Sequence, residues 1–410
     1  MKILWICPFL PFPPDNGLRI REHNLITRIS QDHEVHLFTL IQSTDEMQNV
    51  AEFRKQVTSL TAVLPDEKKP GSLDQRRTIS DVYLGIFDKR PRRFYGNVSR
   101  NVISALRELY NANDYDLMIV EALCMTNYVW DLLPLHKFPA VLVEHNIESD
   151  IQKLVWQTSS GFVTRMRKWL YYETFKGFEI NACKHFDKIV CVSEKDRDCL
   201  AQTLSANEHS VSIDIVPNGV DLTIGAGLQI IPEPDTLIYS GALTYNANYD
   251  AVAYFLREIF PLIQEKHPRV RLFITGATDG VDLNALPKND AVIFTGYVAD
   301  IHSMIKSKWV SIVPLRIGGG TRLKILEAIV LGTPVVSTSK GAEGLNITPG
   351  NGCLIADQPA EFAQAVLHLL ENAATRAQVG QAGMEEIRTR YDWNLIATDM
   401  QKFLHQFTLK

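Results

Sequence analysis

Short apolar runs alternate with amphipathic stretches along the whole chain. In the first half, runs at 2–7, 34–40, 59–64, 116–121, 140–145, 188–193 and 212–216 have the length of strands. Helical patterns fill the gaps, notably 17–30, 97–112, 148–182 and 194–205. Leu117-Met118-Ile119-Val120 and Lys188-Ile189-Val190-Cys191-Val192 lack polar alternation, as expected of a parallel sheet covered on both faces. The second half repeats the scheme, with strands at 236–241, 270–275, 291–295, 309–314, 334–337 and 353–356. Its helices are expected near 249–266, 299–307, 321–331, 358–372 and 376–390. The pattern predicts an α/β chain of two doubly wound, Rossmann-like domains in tandem. Gly219 to Pro234, punctuated by Gly225, Gly227, Pro232 and Pro234, reads as the linker. Ligands of such sheets bind beyond the carboxyl ends of the strands, so two facing edges would frame a cleft.

Length and composition fit this picture: 410 residues exceed one ordinary core, and 46% hydrophobic with 22% charged residues is usual for a globular protein. A net charge of −5 gives no whole-chain case for nucleic-acid binding. The six cysteines contain no C-x-x-C pair and mostly sit in apolar runs, which predicts reduced thiols in a cytosolic protein. No apolar stretch reaches the roughly 18 residues of a spanning helix. The N-terminal run Ile3 to Leu10 is short and followed by prolines 11, 13 and 14, so it reads as a buried first strand rather than a signal peptide.

The segment Arg316-Ile317-Gly318-Gly319-Gly320-Thr321-Arg322-Leu323-Lys324-Ile325-Leu326-Glu327-Ala328 carries the chemistry. It joins an apolar strand to a helical pattern that stops at Gly332. Glycines free backbone N–H groups to converge, and a helix start adds more of them with the positive end of its dipole. Arg322 and Lys324 add full positive charge, and Arg presents a fork that matches two phosphate oxygens. Glu327 lies about 7.5 Å further along the axis, where a carboxylate can accept from vicinal hydroxyls. These residues describe a pocket for a diphosphate joined to a ribose. A generic solvated helix start needs neither the glycines nor cations where the dipole disfavours them.

This segment resembles the donor-site signature of GT-B glycosyltransferases, specifically the retaining group called family 4 or group 1, in its Gly-Gly-Gly-Thr-Arg-x-Lys variant. The resemblance extends through Pro217-Asn218-Gly219-Val220-Asp221, Tyr239-Ser240-Gly241-Ala242-Leu243, Thr295-Gly296-Tyr297-Val298, Leu331-Gly332-Thr333-Pro334 and Tyr391-Asp392-Trp393. It implies an N-terminal acceptor-side domain of residues 1–217, with a C-terminal helix at 392–410 crossing back to it. Residues 218–391 are then the nucleotide-sugar-binding domain. It places His145, Arg322 and Lys324 in catalysis, and Gly17, Gly241, Val298, Gly318, Gly319, Gly320, Thr321, Leu323 and Glu327 at the donor. The family commonly has a second Glu where this chain has Gly319, which bears on how the sugar ring is held.

The implied reaction moves a sugar from a nucleotide diphosphate-sugar to an acceptor hydroxyl with retention, in polysaccharide or glycoconjugate synthesis. The rivals are a GT-B sugar-nucleotide epimerase and a catalytically silent nucleotide-sugar-binding module. The expected partners are the nucleotide-sugar donor and a carbohydrate or lipid-linked acceptor, with no further cofactor. Asp114-Tyr115-Asp116 and Asp196-Arg197-Asp198 spell a metal-holding D-x-D pattern, but neither follows a strand into a turn, so no metal is expected. Asn248 and Ser193 read as helix caps, Arg19 and Arg21 as candidate acceptor contacts, and Glu121 as a strand-end carboxylate of no assigned role. Residues 66–107 carry a local net charge of +5, including Arg90, Arg92 and Arg93 beside Phe94 and Tyr95. A second basic aromatic run holds Arg165, Arg167, Lys168, Trp169, Tyr171 and Tyr172. It suits either peripheral contact with the inner face of a membrane, or a solvated face with core aromatics.

Overall fold

The first strand, β1 (Lys2–Cys7), is buried along nearly its whole length and pairs in parallel on both edges, with β2 (Glu34–Leu40) and β4 (Leu117–Glu121). The computed structural model describes residues 1–66, 98–135, 138–207 and 211–407. The basic run around Arg90, Arg92 and Arg93 lies outside them. With β3 (Ser59–Val63), β5 (Ala140–Glu144), β6 (Lys188–Cys191) and β7 (Ser212–Ile215), these strands form a seven-stranded parallel sheet ordered β3-β2-β1-β4-β5-β6-β7. Its first crossover helix, α1 (Gly17–Ile29), buries Leu25, Ile26 and Ile29. A second parallel sheet is ordered β10-β9-β8-β11-β12-β13. Its strands are β8 (Glu233–Ser240), β9 (Arg271–Thr275), β10 (Val292–Gly296), β11 (Lys308–Val313), β12 (Val335–Ser337) and β13 (Cys353–Ile355).

The chain divides into two compact units, Met1–Pro217 with Ile396–Lys410, and Asn218–Leu395. The helix Trp393–His405 therefore begins in the second unit and runs on as part of the first. There Gln401 Oε1 accepts from His33 Nε2 at 2.8 Å and its amide N–H donates to Asp32 at 2.9 Å, while Ile396, Met400, Phe403 and Leu404 are buried.

Two expected helices are broken. The 148–182 pattern gives Glu148–Gln157 and Phe162–Cys183, separated at Gly161, whose φ of 83° lies in the left-handed region. The 249–266 pattern gives Asn246–Tyr254, a π-helical stretch Phe255–Ile259, and Phe260–Lys266. Pro261 in the first turn of the last piece has no N–H for an i−4 bond, and the wider turn precedes it. The second core is tight where helix Ala373–Arg390 passes the loop before β13. A Cβ on Gly383 would lie 2.4 Å from Gly352 Cα and 2.7 Å from Ile329 Cγ2. Gly383→Ala is expected to cost about 1–3 kcal/mol by overpacking, read as a lowered denaturant midpoint.

Candidate active site

Each sheet reverses its strand order once, and candidate chemistry sits at each reversal. In the first sheet the reversal lies between β1 and β4. There the ends of β1, β4 and β5 and the first turns of α1 bring together Trp5, Cys7, Arg21, Glu22, Glu121 and His145. His145 Nε2 lies 2.9 Å from Glu121 Oε2 and 3.3 Å from Glu22 Oε1. Trp5 Nε1 donates to Glu121 Oε1 at 2.9 Å, and the Cys7 thiol to Glu22 Oε2 at 3.5 Å. The carboxylates are at most 1% exposed. Burial, then the charge of Glu121, pushes Glu22 up to about 7. Burial would raise Glu121 too, but the hydrogen bond and charge of His145, with Arg21, hold it below the usual carboxylate value. For His145, burial acts downward and is outweighed by the two carboxylates, so the imidazole stays protonated to higher pH than usual. The two oxygens and Nε2 lie within 4.8 Å of one another, a convergence that a divalent ion could also use. The 2.9 Å contact is at ion-pair distance, although Nε2, Glu121 Oε2 and Glu22 Oε1 are buried without an aligned hydrogen bond, and Arg21 already brings positive charge to both carboxylates.

In the second sheet the reversal lies between β8 and β11. Beyond β8 comes Gly241; beyond β11 come the glycine loop and helix Leu323–Val330. Lys324 Nζ is 3.3 Å from Asn248 Oδ1 and 4.6 Å from the centre of the Tyr239 ring. Tyr239 donates to the same Asn248 oxygen at 2.7 Å, and Asn248 Nδ2 to Ala242 O at 2.8 Å. Gly241 leaves space for this arrangement, since a Cβ would lie 2.7 Å from Lys324 Nζ. Gly318 turns the loop with φ 109°. Burial, then the neighbouring Arg322 charge, pushes Lys324 down to about 7. Burial likewise lowers Arg322 and raises Glu327, the latter opposed by His302 and Lys324. Arg322 Nε and Thr321 Oγ1 are buried without a hydrogen-bond partner.

Several expectations change here. The Arg322 fork does not stand free: Nη1 donates to Gly320 O at 2.8 Å and to Gly319 O, folding the side chain onto its own loop. Asn248 is not a cap; the helix starts at Asn246, and Asn248 ties Lys324 and Tyr239 to Ala242. Ser193 does cap, accepting from Asp196 N at 3.1 Å. Arg21 is buried and donates to Pro217 O at 2.8 Å, while Arg19 pairs with Asp15 at 3.2 Å and packs over Phe9, so neither is a displayed acceptor contact. Of the D-x-D runs, Asp116 accepts from Lys2 N at 2.7 Å and Asp198 pairs with Arg197. Gly17 opens α1, Leu323 opens its helix as a buried residue, and Val298 follows the edge strand β10. Glu22 and Trp5 escaped sequence reasoning, because nothing local marks a helix carboxylate or a strand indole as partners of a residue over a hundred positions away.

Residues 16–224 match the model of Glycosyltransferase Family 4. This chain belongs to that family. Residues 234–372 of the glycosyltransferase also match the Glycosyl transferases group 1 model. The 44.6 kDa protein in the cps region of Klebsiella pneumoniae is 23% identical over 305 residues, covering 70% of this chain and 74% of that one. Among solved structures, sucrose-phosphate synthase from Thermosynechococcus elongatus superposes with a TM-score of 0.69 at 15% identity, covering 100% of this chain and 99% of that one. Anabaena HepE in complex with UDP gives 0.68 at 13% identity, covering 99% and 100%. These likenesses show the GT-B fold: two parallel-sheet, Rossmann-like α/β domains.

Within this glycosyltransferase the basic aromatic run divides. Tyr172 stacks on Trp156 at 5.7 Å and Tyr171 packs against Phe175. Phe162, Val163, Met166 and Trp169 are exposed, at 80%, 76%, 44% and 38%. No helix of the described residues is long and apolar enough to cross a membrane.

Proposed function

We propose that this glycosyltransferase transfers a sugar from a nucleoside diphosphate-sugar to an acceptor hydroxyl with retention and without a metal. The observation that carries the reading is buried positive charge: Arg322 and Lys324 form no ion pair among the described residues, and the longer-range pull of Glu343 and Glu327 does not outweigh the burial that disfavours both charges. Such an arrangement is costly unless an anion arrives. A diphosphate supplies that anion, and Glu327 on the same helix is spaced to accept from the adjoining ribose. HepE has been crystallised with UDP, UDP and glucose, and UDP-glucose, which supports a nucleotide-sugar donor here. A relative encoded in a cps region supports a polysaccharide or glycoconjugate setting. Arg322, Lys324 and the helix start would stabilise the leaving diphosphate as positive charge develops on the sugar. The variant loop with Gly319 in place of a carboxylate leaves the sugar ring to be held by other groups.

Calorimetry with UDP, GDP and ADP tests this directly. One of them should bind, and Lys324→Met should abolish the heat; silence from all three would overturn the reading. Activity should persist in EDTA, and a loss restored by magnesium would contradict metal independence.

For the acceptor we propose a lipid-linked carbohydrate met at an anionic membrane surface. Phe162, Val163, Met166 and Trp169 recur at spacings that share one face, with Arg165, Arg167 and Lys168 beside them. Co-sedimentation with phosphatidylglycerol vesicles is expected, and reversal of the charge at 165, 167 and 168 should abolish it. Equal sedimentation of the reversed variant would remove the membrane from the proposal.

A further inference from the structure

His145 stands just after β5, between a carboxylate at the end of β4 and another on α1, and its Nε2 contacts both. Two carboxylates at this distance need Nε2 to carry its proton, and their combined negative charge favours the cation over the neutral ring. Each carboxylate is fixed in turn: Glu121 by the Trp5 indole, Glu22 by the Cys7 thiol. All the groups that meet Nε2 come from elements of the first unit's own core, so the ring is oriented before any ligand binds. The charged and titratable groups around it are Cys7 on β1, Arg21 and Glu22 on α1, Glu121 on β4, and Glu148 on the helix that follows β5.

We propose that Glu22 and Glu121 are positioning residues that hold His145 as an imidazolium, with Nε2–H turned into the core and Nδ1–H presented as a charged hydrogen-bond donor to an oxygen of the sugar substrate. His145 then cannot serve as a general base, because its only nitrogen facing substrate already bears a proton. The charge balance is local: the cluster shares one proton among Glu22, Glu121 and His145, while Arg21 offsets one carboxylate. This assignment rests on the glycosyltransferase reading for its substrate, but not for the state of the ring. The charges of the set sit within ion-pair distance of one another, so removing one leaves a buried charge unmatched.

Selective 15N-histidine labelling, with His145 assigned through His145→Gln, tests the ring without reference to activity. The His145 signals of the full chain should titrate above the ordinary histidine value of about 6.5. Glu121→Gln should move that midpoint down by about one unit or more, and Glu22→Gln should move it in the same direction. In turnover, kcat should fall as pH rises through the same midpoint, and the falling limb should shift to lower pH in Glu121→Gln. Nucleotide affinity should stay unchanged in both variants, since the diphosphate cradle lies on the other unit. A wild-type midpoint at or below about 6.5, or a kcat that rises with deprotonation of His145, would overturn the proposal. So would stoichiometric metal in the purified protein that is lost in Glu121→Gln, since a metal-bound nitrogen carries no proton. If no nucleotide sugar is bound or turned over, the functional reading fails, while the His145 titration still decides this one.

Discussion

Replacing Lys324 with methionine is expected to lower turnover about a hundredfold or more without lowering the melting temperature. Both halves follow from one arrangement. Lys324 is packed over the Tyr239 ring beside Arg322, with the Asn248 side-chain oxygen 3.3 Å from its ammonium group. Burial and the like charge of Arg322 push its pKa down to about 7. An unfolded lysine titrates near 10.4, so between about 7 and 10.4 the unfolded chain binds more protons than the folded one. Wild-type stability should therefore rise with pH through that window, and the methionine variant should gain most below it. A diphosphate reverses the balance by raising the lysine pKa, so nucleotide binding should take up a proton and weaken as pH climbs above about 7. The measurements are steady-state turnover, melting curves at pH 6 and 9 in the absence of ligand, and calorimetry in buffers of different ionisation heat. A variant that loses activity and stability together would point to a structural lysine instead.

The second large effect is on donor affinity. Glu327→Ala should weaken binding of the nucleoside diphosphate about 10- to 100-fold, the value of a charge-assisted pair of hydrogen bonds. A double comparison isolates the ribose. Deoxygenated nucleotides should lose affinity for the wild type but bind the variant as well as the ribonucleotide does. Burial raises the Glu327 pKa, opposed by His302 and Lys324, so the carboxylate form needed for acceptance is lost at higher pH than for an exposed Glu. Affinity should then fall on the acid side through Glu327 and on the alkaline side through Lys324. Equal affinity in the variant would remove the ribose role and leave the loop cations as the sole basis of recognition.

Much of this was legible along the chain because it is local. Apolar runs of strand length marked the thirteen strands of the described residues to within a few positions, most clearly the central ones, whose two-faced burial leaves no room for polar alternation. The glycine loop and the helix it opens were legible for the same reason, since glycine and helix periodicity act between neighbours in sequence. The misreadings came where local signals compete. Asn248 has a capping side chain, yet Tyr239 and Lys324 draw it into a tertiary network two residues inside the helix. Arg322 has a fork suited to phosphate, yet the carbonyls of its own loop hold one arm of it. Arg21 carries an exposed-looking charge on a first turn, yet packing turns it inward to Pro217 O.

By itself the sequence determined the alternation of strands and helices, and the glycine-rich loop between β11 and the helix after it, because periodicity and glycine act over a few residues. Tertiary structure alone decided which strand ends meet. It set Glu22 and Glu121, far apart along the chain, around one nitrogen of His145 at the point where the first sheet reverses order. The physical reason is that strand order is fixed by which apolar faces cover one another, and a carboxylate's partner is chosen by that order rather than by its neighbours along the chain.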